Sequence, residues 1–190
     1  VERIRFKGNV KRAGQKLNFW GEHEKNIPKE IKNEVYKQYF SNDTLYVYCD
    51  ASLKMGIGEM SAACSYICNG NIIVENQLIY PARECYDNNM FCEIKAVVFA
   101  LNNFKKYLQR SCKNVIIFSD LKDIQKYLKR ELSFRRNTFL QKLQIDMIRL
   151  YKEKEMNNTD VSISVKYLEQ KKHNPFAKSA HNAARKILNK

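Results

Sequence analysis

Two β-prone runs, "GEMSAACSYIC" and "NIIVENQLIY", are joined by Asn69-Gly70. Asn-Gly suits the two left-handed positions of a type I′ turn, whose twist matches the strands it connects, so the pair predicts a hairpin. The preceding run, "TLYVYCDAS", is rich in β-branched and aromatic residues and ends in an acid followed by small residues. These three strands form an antiparallel meander.

Further on, "MFCEIKAVVFALNNFKKYL" places Ile94, Val97, Val98, Leu101, Phe104 and Leu108 at helical spacing, and the short apolar run "NVIIFSDL" follows. Strand, crossover helix and strand imply a parallel pairing with the first strand. Next, "LKDIQKYLKRE" reads as a helix, "RRNTFLQKLQIDMIRLYKEKE" as a longer amphipathic helix, "VSISVKYLEQ" as a strand and "HNPFAKSAHNAARKIL" as a last helix. The order β-β-β-α-β-α-α-β-α describes an α/β domain with a mixed sheet over residues 44–190. Residues 1–43 read as a basic N-terminal extension outside the core. Its one helix lies in "IPKEIKNEVYKQYF", opened by Pro28 and striped by Ile27, Ile31, Val35 and Tyr39.

Lys and Arg number 34 against 20 Asp and Glu, a net charge of +14 spread along the chain. That balance points to a polyanionic partner, nucleic acid ahead of an acidic membrane surface. No apolar run approaches the roughly 18–20 residues that span a bilayer, and "VERIRFKGNV" lacks the apolar core of a signal sequence. A soluble, cytoplasmic monomer with no membrane partner is expected. Cys49, Cys64, Cys68, Cys85, Cys92 and Cys112 lie in apolar runs without paired metal-ligand spacing and read as reduced, packed thiols.

Asp50 ends the first strand, Asp120 ends the fourth, and Glu93 falls in the first turn of the crossover helix. Adjacent parallel strands deliver their carboxyl ends to one edge of an α/β sheet, where ligands bind, which makes Asp50 and Asp120 neighbours. Singly, each acid has a plain structural reading: Asp120 as a helix cap, Glu93 as a favourable charge near a helix N-terminus, Asp50 as a turn residue. Together they form a cluster whose mutual repulsion a divalent cation would remove.

In this order and spacing, "YVYCDAS", "NNMFCEIKAVVFAL" and "VIIFSDLKDIQKYL" resemble the ribonuclease H family, over residues 44–188. The resemblance implies an α/β, ribonuclease H-like fold with a five-stranded mixed sheet, order 3-2-1-4-5, flanked by helices. It implies a metal-dependent endonuclease that hydrolyses the RNA strand of an RNA-DNA hybrid, leaves 5′-phosphate ends and uses two Mg²⁺ or Mn²⁺ ions. Asp50 would bridge both ions, and Glu93 and Asp120 would hold the second. Asn89 matches a position that contacts the hybrid backbone, a helix cap being the alternative. The backbone around Ala51 and Ser52 would lie beside the minor groove, where 2′-hydroxyls mark RNA.

The family's fourth ligand is an Asp near the start of the last helix, in a run resembling N-x-x-A-D-x-L-A. Here the run is "AKSAHNAA", which puts His181 in the Asp position and Ala177 where Asn is common. Neutral imidazole ligates Mn²⁺ well and Mg²⁺ less well, so His181 can complete the site with one negative charge fewer. The alternative is a catalytically inactive module that binds nucleic acid or docks into a larger replication or reverse-transcription assembly. The active reading is the expectation, because the other three carboxylates are present and the replacement is itself able to ligate a metal. His173, in "EQKKHNPF", resembles at a shorter spacing a mobile His that assists product release, although Asn174-Pro175 alone would mark a turn. "KRELSFRRNTF", with Phe134, is a candidate basic protrusion, and Lys171, Lys172, Arg135, Arg136, Lys105 and Lys106 are candidates for tracking phosphates, a solvated surface charge being the alternative for each.

Overall fold

The computed structural model describes residues 2–6, as backbone, and residues 17–189. Residues 7–16 of the expected basic extension, and the end residues Val1 and Lys190, lie outside the described residues. Six strands, β1 (Glu2–Phe6), β2 (Thr44–Lys54), β3 (Glu59–Cys68), β4 (Asn71–Ile79), β5 (Asn114–Ser119) and β6 (Ser162–Tyr167), form one sheet in the order β1-β4-β3-β2-β5-β6. β2, β3 and β4 are the antiparallel meander, and β2-β5 and β5-β6 pair in parallel. The five strands from β2 onward therefore have the expected order 3-2-1-4-5. β1 is an addition, antiparallel to β4 at the sheet edge.

The hairpin turn forms as Asn-Gly requires: Asn69 and Gly70 have φ of 46° and 73°. Both turn amides are used. Asn69 N donates to Ser41 O and Gly70 N to Tyr39 O, each at 2.7 Å, so the turn is fastened to the end of helix α1 (Lys29–Phe40).

Four further helices cover the sheet: α2 (Asn89–Asn103), α3 (Ile124–Leu128), α4 (Thr138–Met156) and α5 (Pro175–Leu188). Alternation along β2 divides the core. Leu45, Val47 and Cys49 join Ile94, Val97 and Met147 under α2 and α4, while Tyr46 and Tyr48 join Val35, Tyr39 and Phe176 under α1 and α5. Burial on both faces is why β2 reads as a nearly continuous apolar run.

α5 lies close to the sheet because its inward residues are small: Ala177, Ala180, Ala183 and Ala184 are buried. Two hydrogen bonds fix its position, Ser61 Oγ donating to Ala184 O at 2.6 Å and Asn76 Nδ2 to Ala183 O at 3.1 Å. At its start, Asn174 Oδ1 accepts from Phe176 N and Ala177 N, and Pro175 fills the first turn.

Some expectations change. The N-terminal helix exists, with Pro28 at its N-cap, but Val35 and Tyr39 are buried in the core instead of standing outside it. Phe19 packs edge-on against Tyr39 and Phe176, with ring centroids 5.1 and 5.5 Å away. The helix read over 121–131 shortens to α3, because Asp123 (φ 61°) and Arg130 (φ 63°) adopt left-handed backbone at either end. Phe134 stacks on Tyr127 at 4.5 Å, so the aromatic of the candidate protrusion turns inward, while Arg135 and Arg136 stay exposed. All six cysteines are free and buried. No helix among the described residues is long and apolar enough to cross a membrane.

Candidate metal centre

Parallel register brings the first two acids together. β2 and β5 align Tyr48 with Phe118, and Asp50 and Asp120 each lie two residues further along. Period-2 alternation then sends both side chains to one face at the carboxyl edge. Glu93 arrives from α2, as its fifth residue and past its first turn, which contains no acid. Carboxylate oxygens of Asp50, Glu93 and Asp120 lie within 4.8 Å of one another.

The plain structural readings of these acids lose their footing. The N-cap of α3 is Asp123, not Asp120, and the cap of α2 is Asn88, whose Oδ1 accepts from Phe91 N at 2.9 Å. Glu93 lies beyond the turn where a helix N-terminus attracts charge. Asp50 is inside a strand, with its side chain 5 % exposed.

His181 reaches the cluster from α5. Its Nδ1 is 2.7 Å from Asp50 Oδ2. An ionised carboxylate only accepts, so a ring proton on Nδ1 would be donated to Asp50 and would leave Nε2 as an acceptor. Among the described residues, the ligand atoms that lie within 4.8 Å of one another are those of Asp50, Glu93 and Asp120, without His181. The phase of α5 explains the approach: His181 flanks the buried alanine stripe and is itself half-buried.

Sequence reasoning missed Lys171 as part of this centre. Its ammonium donates to Asp50 Oδ1 at 3.0 Å and to Asp120 Oδ2, so that a cation already bridges the two strand-end carboxylates. No local pattern separates Lys171 from Lys172. The path of the loop after β6 decides which of them turns inward.

Charge and burial set the protonation of the group. Burial, then the fields of Asp50 and Asp120, push Glu93 up to about 8, against a partial offset from Lys171. Burial also holds Asp50 above the ordinary carboxylate value, opposed by Lys171 and by the hydrogen bond from His181. For Lys171, burial pulls down, but hydrogen bonding to Asp120 and the charge of Asp50 outweigh it and the ammonium is held above its usual value.

These residues fit a divalent ion. Three carboxylates supply oxygen donors, the kind that Mg²⁺ and Mn²⁺ favour. Glu93 Oε2 is buried without a hydrogen-bond partner, an expensive state for an acceptor that a cation would relieve.

The other residues read from the sequence lie around this centre. Ala51 and Ser52 continue β2 past Asp50, half-buried and paired with Ala62 and Ser61. Asn89 is exposed at the first position of α2, the cap role having gone to Asn88. His173 is exposed in the loop before α5, with φ of 68°, and its carbonyl accepts from Trp20 Nε1 at 2.7 Å.

No protein-family model and no curated protein sequence matches the chain. Solved structures do. The ribonuclease H1 of the halophilic archaeon Halobacterium salinarum is 14 % identical, with a TM-score of 0.57 over 77 % of this chain and 98 % of that one. The N-terminal ribonuclease H domain of a Mycobacterium tuberculosis protein, solved as a fusion with maltose-binding protein, is 12 % identical, with a TM-score of 0.54 over 78 % of this chain and 98 % of that one. LC11-RNase H1 in complex with an RNA/DNA hybrid is 12 % identical, with a TM-score of 0.53 over 76 % and 99 %. The chain thus has the ribonuclease H-like fold.

Proposed function

We propose that this chain is a metal-dependent endonuclease that hydrolyses the RNA strand of RNA-DNA hybrids. The observation that carries the reading is the convergence of Asp50, Glu93 and Asp120 from three elements onto one point, with an unpartnered oxygen on Glu93. This convergence occurs on a fold shared with ribonuclease H1 structures, one of them bound to such a hybrid.

In this reading Asp50, Glu93 and Asp120 hold two Mg²⁺ or Mn²⁺ ions, and His181 is the fourth ligand. Bound there, two such ions would provide an activated water at neutral pH and would neutralise charge on the leaving oxygen. Water adds to the scissile phosphorus, the bond to the 3′ oxygen breaks, and the products carry 5′-phosphate and 3′-hydroxyl ends. The chain's own part is positional. Asp50 and Asp120 are fixed by strand register, and His181 is held through α5. Backbone at Ala51 and Ser52 faces the minor groove, where 2′-hydroxyls distinguish the RNA strand. Asn89 and the loop carrying His173 contact the nucleic-acid backbone.

The test is to incubate labelled RNA-DNA hybrid, duplex RNA, duplex DNA and a four-way junction with Mg²⁺ or Mn²⁺, with Asp50→Asn as control. Cleavage of the hybrid alone, lost in the variant, is the expected result. Salt-sensitive binding of the hybrid without cleavage would replace the nuclease with a binding module.

A further inference from the structure

We infer that a cavity beside the metal centre takes one unpaired nucleotide of the bound nucleic acid. The inference rests on the reading of the chain as a nucleic-acid enzyme; it shares Lys171, His173 and His181 with that site and adds Phe19, Trp20, His23 and Lys178. The cavity, about 450 Å³, opens between the segment ahead of α1 and the loop entering α5. Phe19, Trp20 and His23 line it from one side, and His173, Lys178 and His181 from the other. All three histidines of the chain therefore meet here. Among the described residues that line it, none is acidic.

That combination has the chemistry of a nucleotide. Aromatic rings accept a base face, cations accept a phosphate, and neither preference depends on base identity. The volume falls within the roughly 300–1,000 Å³ typical of small-ligand pockets, and is far below what a duplex needs. Paired bases also have their faces already covered by their neighbours, so the occupant is a base outside a helix, from a single-stranded extension.

The aromatic wall is preorganised. Asn18 Oδ1 accepts from Trp20 N at 2.8 Å and Gly21 N at 2.9 Å, and the indole lies edge-on to Phe19 and Tyr36, centroids 5.9 Å away in both cases. Trp20 Nε1 in turn holds the His173 carbonyl, pinning a residue in left-handed backbone to the wall. A side chain fixed before binding loses little freedom when a base stacks on it. Because Lys171 also lines the cavity while bridging Asp50 and Asp120, the pocket is continuous with the metal centre. The segment that supplies Phe19, Trp20 and His23 lies ahead of the stretch that resembles ribonuclease H.

Trp20 is the only tryptophan, so its emission reports on the cavity directly. The metal-free chain, kept in chelator so that nothing is cleaved, is titrated with a short blunt RNA-DNA hybrid and with the same hybrid carrying a single-stranded extension. The extended hybrid is expected to quench Trp20 and to bind about tenfold more tightly than the blunt one. Lys178→Glu, at an exposed lining position, should erase that difference, while Lys142→Glu, exposed and away from the cavity, should keep it. Equal emission and affinity for the two hybrids, or an undiminished preference in Lys178→Glu, would overturn the inference. Cleavage, measured separately with metal, reports on the nuclease reading. Extension-dependent quenching without cleavage sinks that reading alone, and cleavage without quenching sinks the pocket alone.

Discussion

His181 Nδ1 lies 2.7 Å from Asp50 Oδ2, while Lys171 Nζ lies 3.0 Å from the other oxygen of the same carboxylate. Asp50 is thus shared between a ring that can ligate a metal and an ammonium that can only oppose one. The chain has one carboxylate fewer than the ribonuclease H pattern it resembles, and it has a built-in cation among those that remain. Both features would bear on how strongly the centre could hold a divalent ion in the proposed reading.

Removing the ring should weaken the centre without unfolding the chain, because His181 is half-buried and sits outside the alanine stripe. For His181→Ala, Mn²⁺ affinity and hybrid cleavage are expected to fall about 10–100-fold, the usual scale for loss of a ligand or its immediate support. His181→Asp restores an oxygen donor and should shift preference toward Mg²⁺. Calorimetric titration with each ion, alongside initial cleavage rates, checks both. Unchanged Mn²⁺ binding and cleavage in His181→Ala would remove His181 from the ligand set.

Lys171→Gln should separate two effects of the ammonium. Without metal, Asp50 and Asp120 lose the charge between them, and stability should drop by about 1–2 kcal/mol, the pair lying between the fully exposed and fully buried cases. With Mn²⁺ the competing cation is gone, so affinity should rise. Thermal melts of parent and variant with and without Mn²⁺ read both: a lower midpoint for the metal-free variant and a larger metal-induced increase. A variant that melts like the parent and binds Mn²⁺ no more tightly would show that Lys171 does not contest the site.

Glu93 predicts a pH dependence. Its ordinary value is 4.5, and burial with the neighbouring acids raises it to about 8 in the folded chain. Between those values the folded state holds a proton that the unfolded state has released. Stability from this group is therefore full below about 4.5, and it is lost as pH rises toward about 8. The metal-free protein should become less stable across this window, and Glu93→Gln should flatten the trend. Metal entry below pH 8 must expel the same proton, so apparent Mn²⁺ affinity should climb with pH and then level off. Calorimetry in buffers of different ionisation enthalpy measures the released proton directly.

The residues that were legible in the sequence are those whose placement follows from local periodicity. Asp50 and Asp120 each close an apolar strand run, and parallel pairing then makes them neighbours. His181 was legible only through the resemblance of "AKSAHNAA" to the family's last-helix run, and the structure sets its Nδ1 2.7 Å from Asp50. Lys171 could not be placed, since a loop side chain goes where the chain's tertiary path sends it, and Lys172 has the same local surroundings. The burial of the helix before Thr44 was illegible for a related reason. Val35 and Tyr39 are spaced as a helix face, but nothing local says that Tyr48 and Phe176 leave room for that face in the core. The short α3 shows the converse limit, a helical composition cut back by left-handed residues at Asp123 and Arg130.

Asn174 connects the fold to the site and gives the last prediction. Its Oδ1 caps α5 through Phe176 N and Ala177 N, and its Nδ2 donates to Tyr48 OH, which donates to Gln38 Oε1 at 2.6 Å. One buried side chain thereby joins α1, β2 and the helix that carries His181. Asn174→Ala leaves two helix amides without their acceptor and removes one of the two hydrogen bonds of the buried Tyr48 hydroxyl, at a cost of about 2–3 kcal/mol. Asn174→Asp keeps the cap acceptors but cannot donate to Tyr48, so it should recover the α5 cap and not the link to α1. If α5 positions His181 through its cap, Asn174→Asp should keep near-parental Mn²⁺ affinity at reduced stability, while Asn174→Ala should lose both. Denaturant melts and Mn²⁺ titrations on the two variants decide it: equal Mn²⁺ affinity in Asn174→Ala and the parent would mean that His181 is placed by the helix's packing on the sheet, independent of its cap.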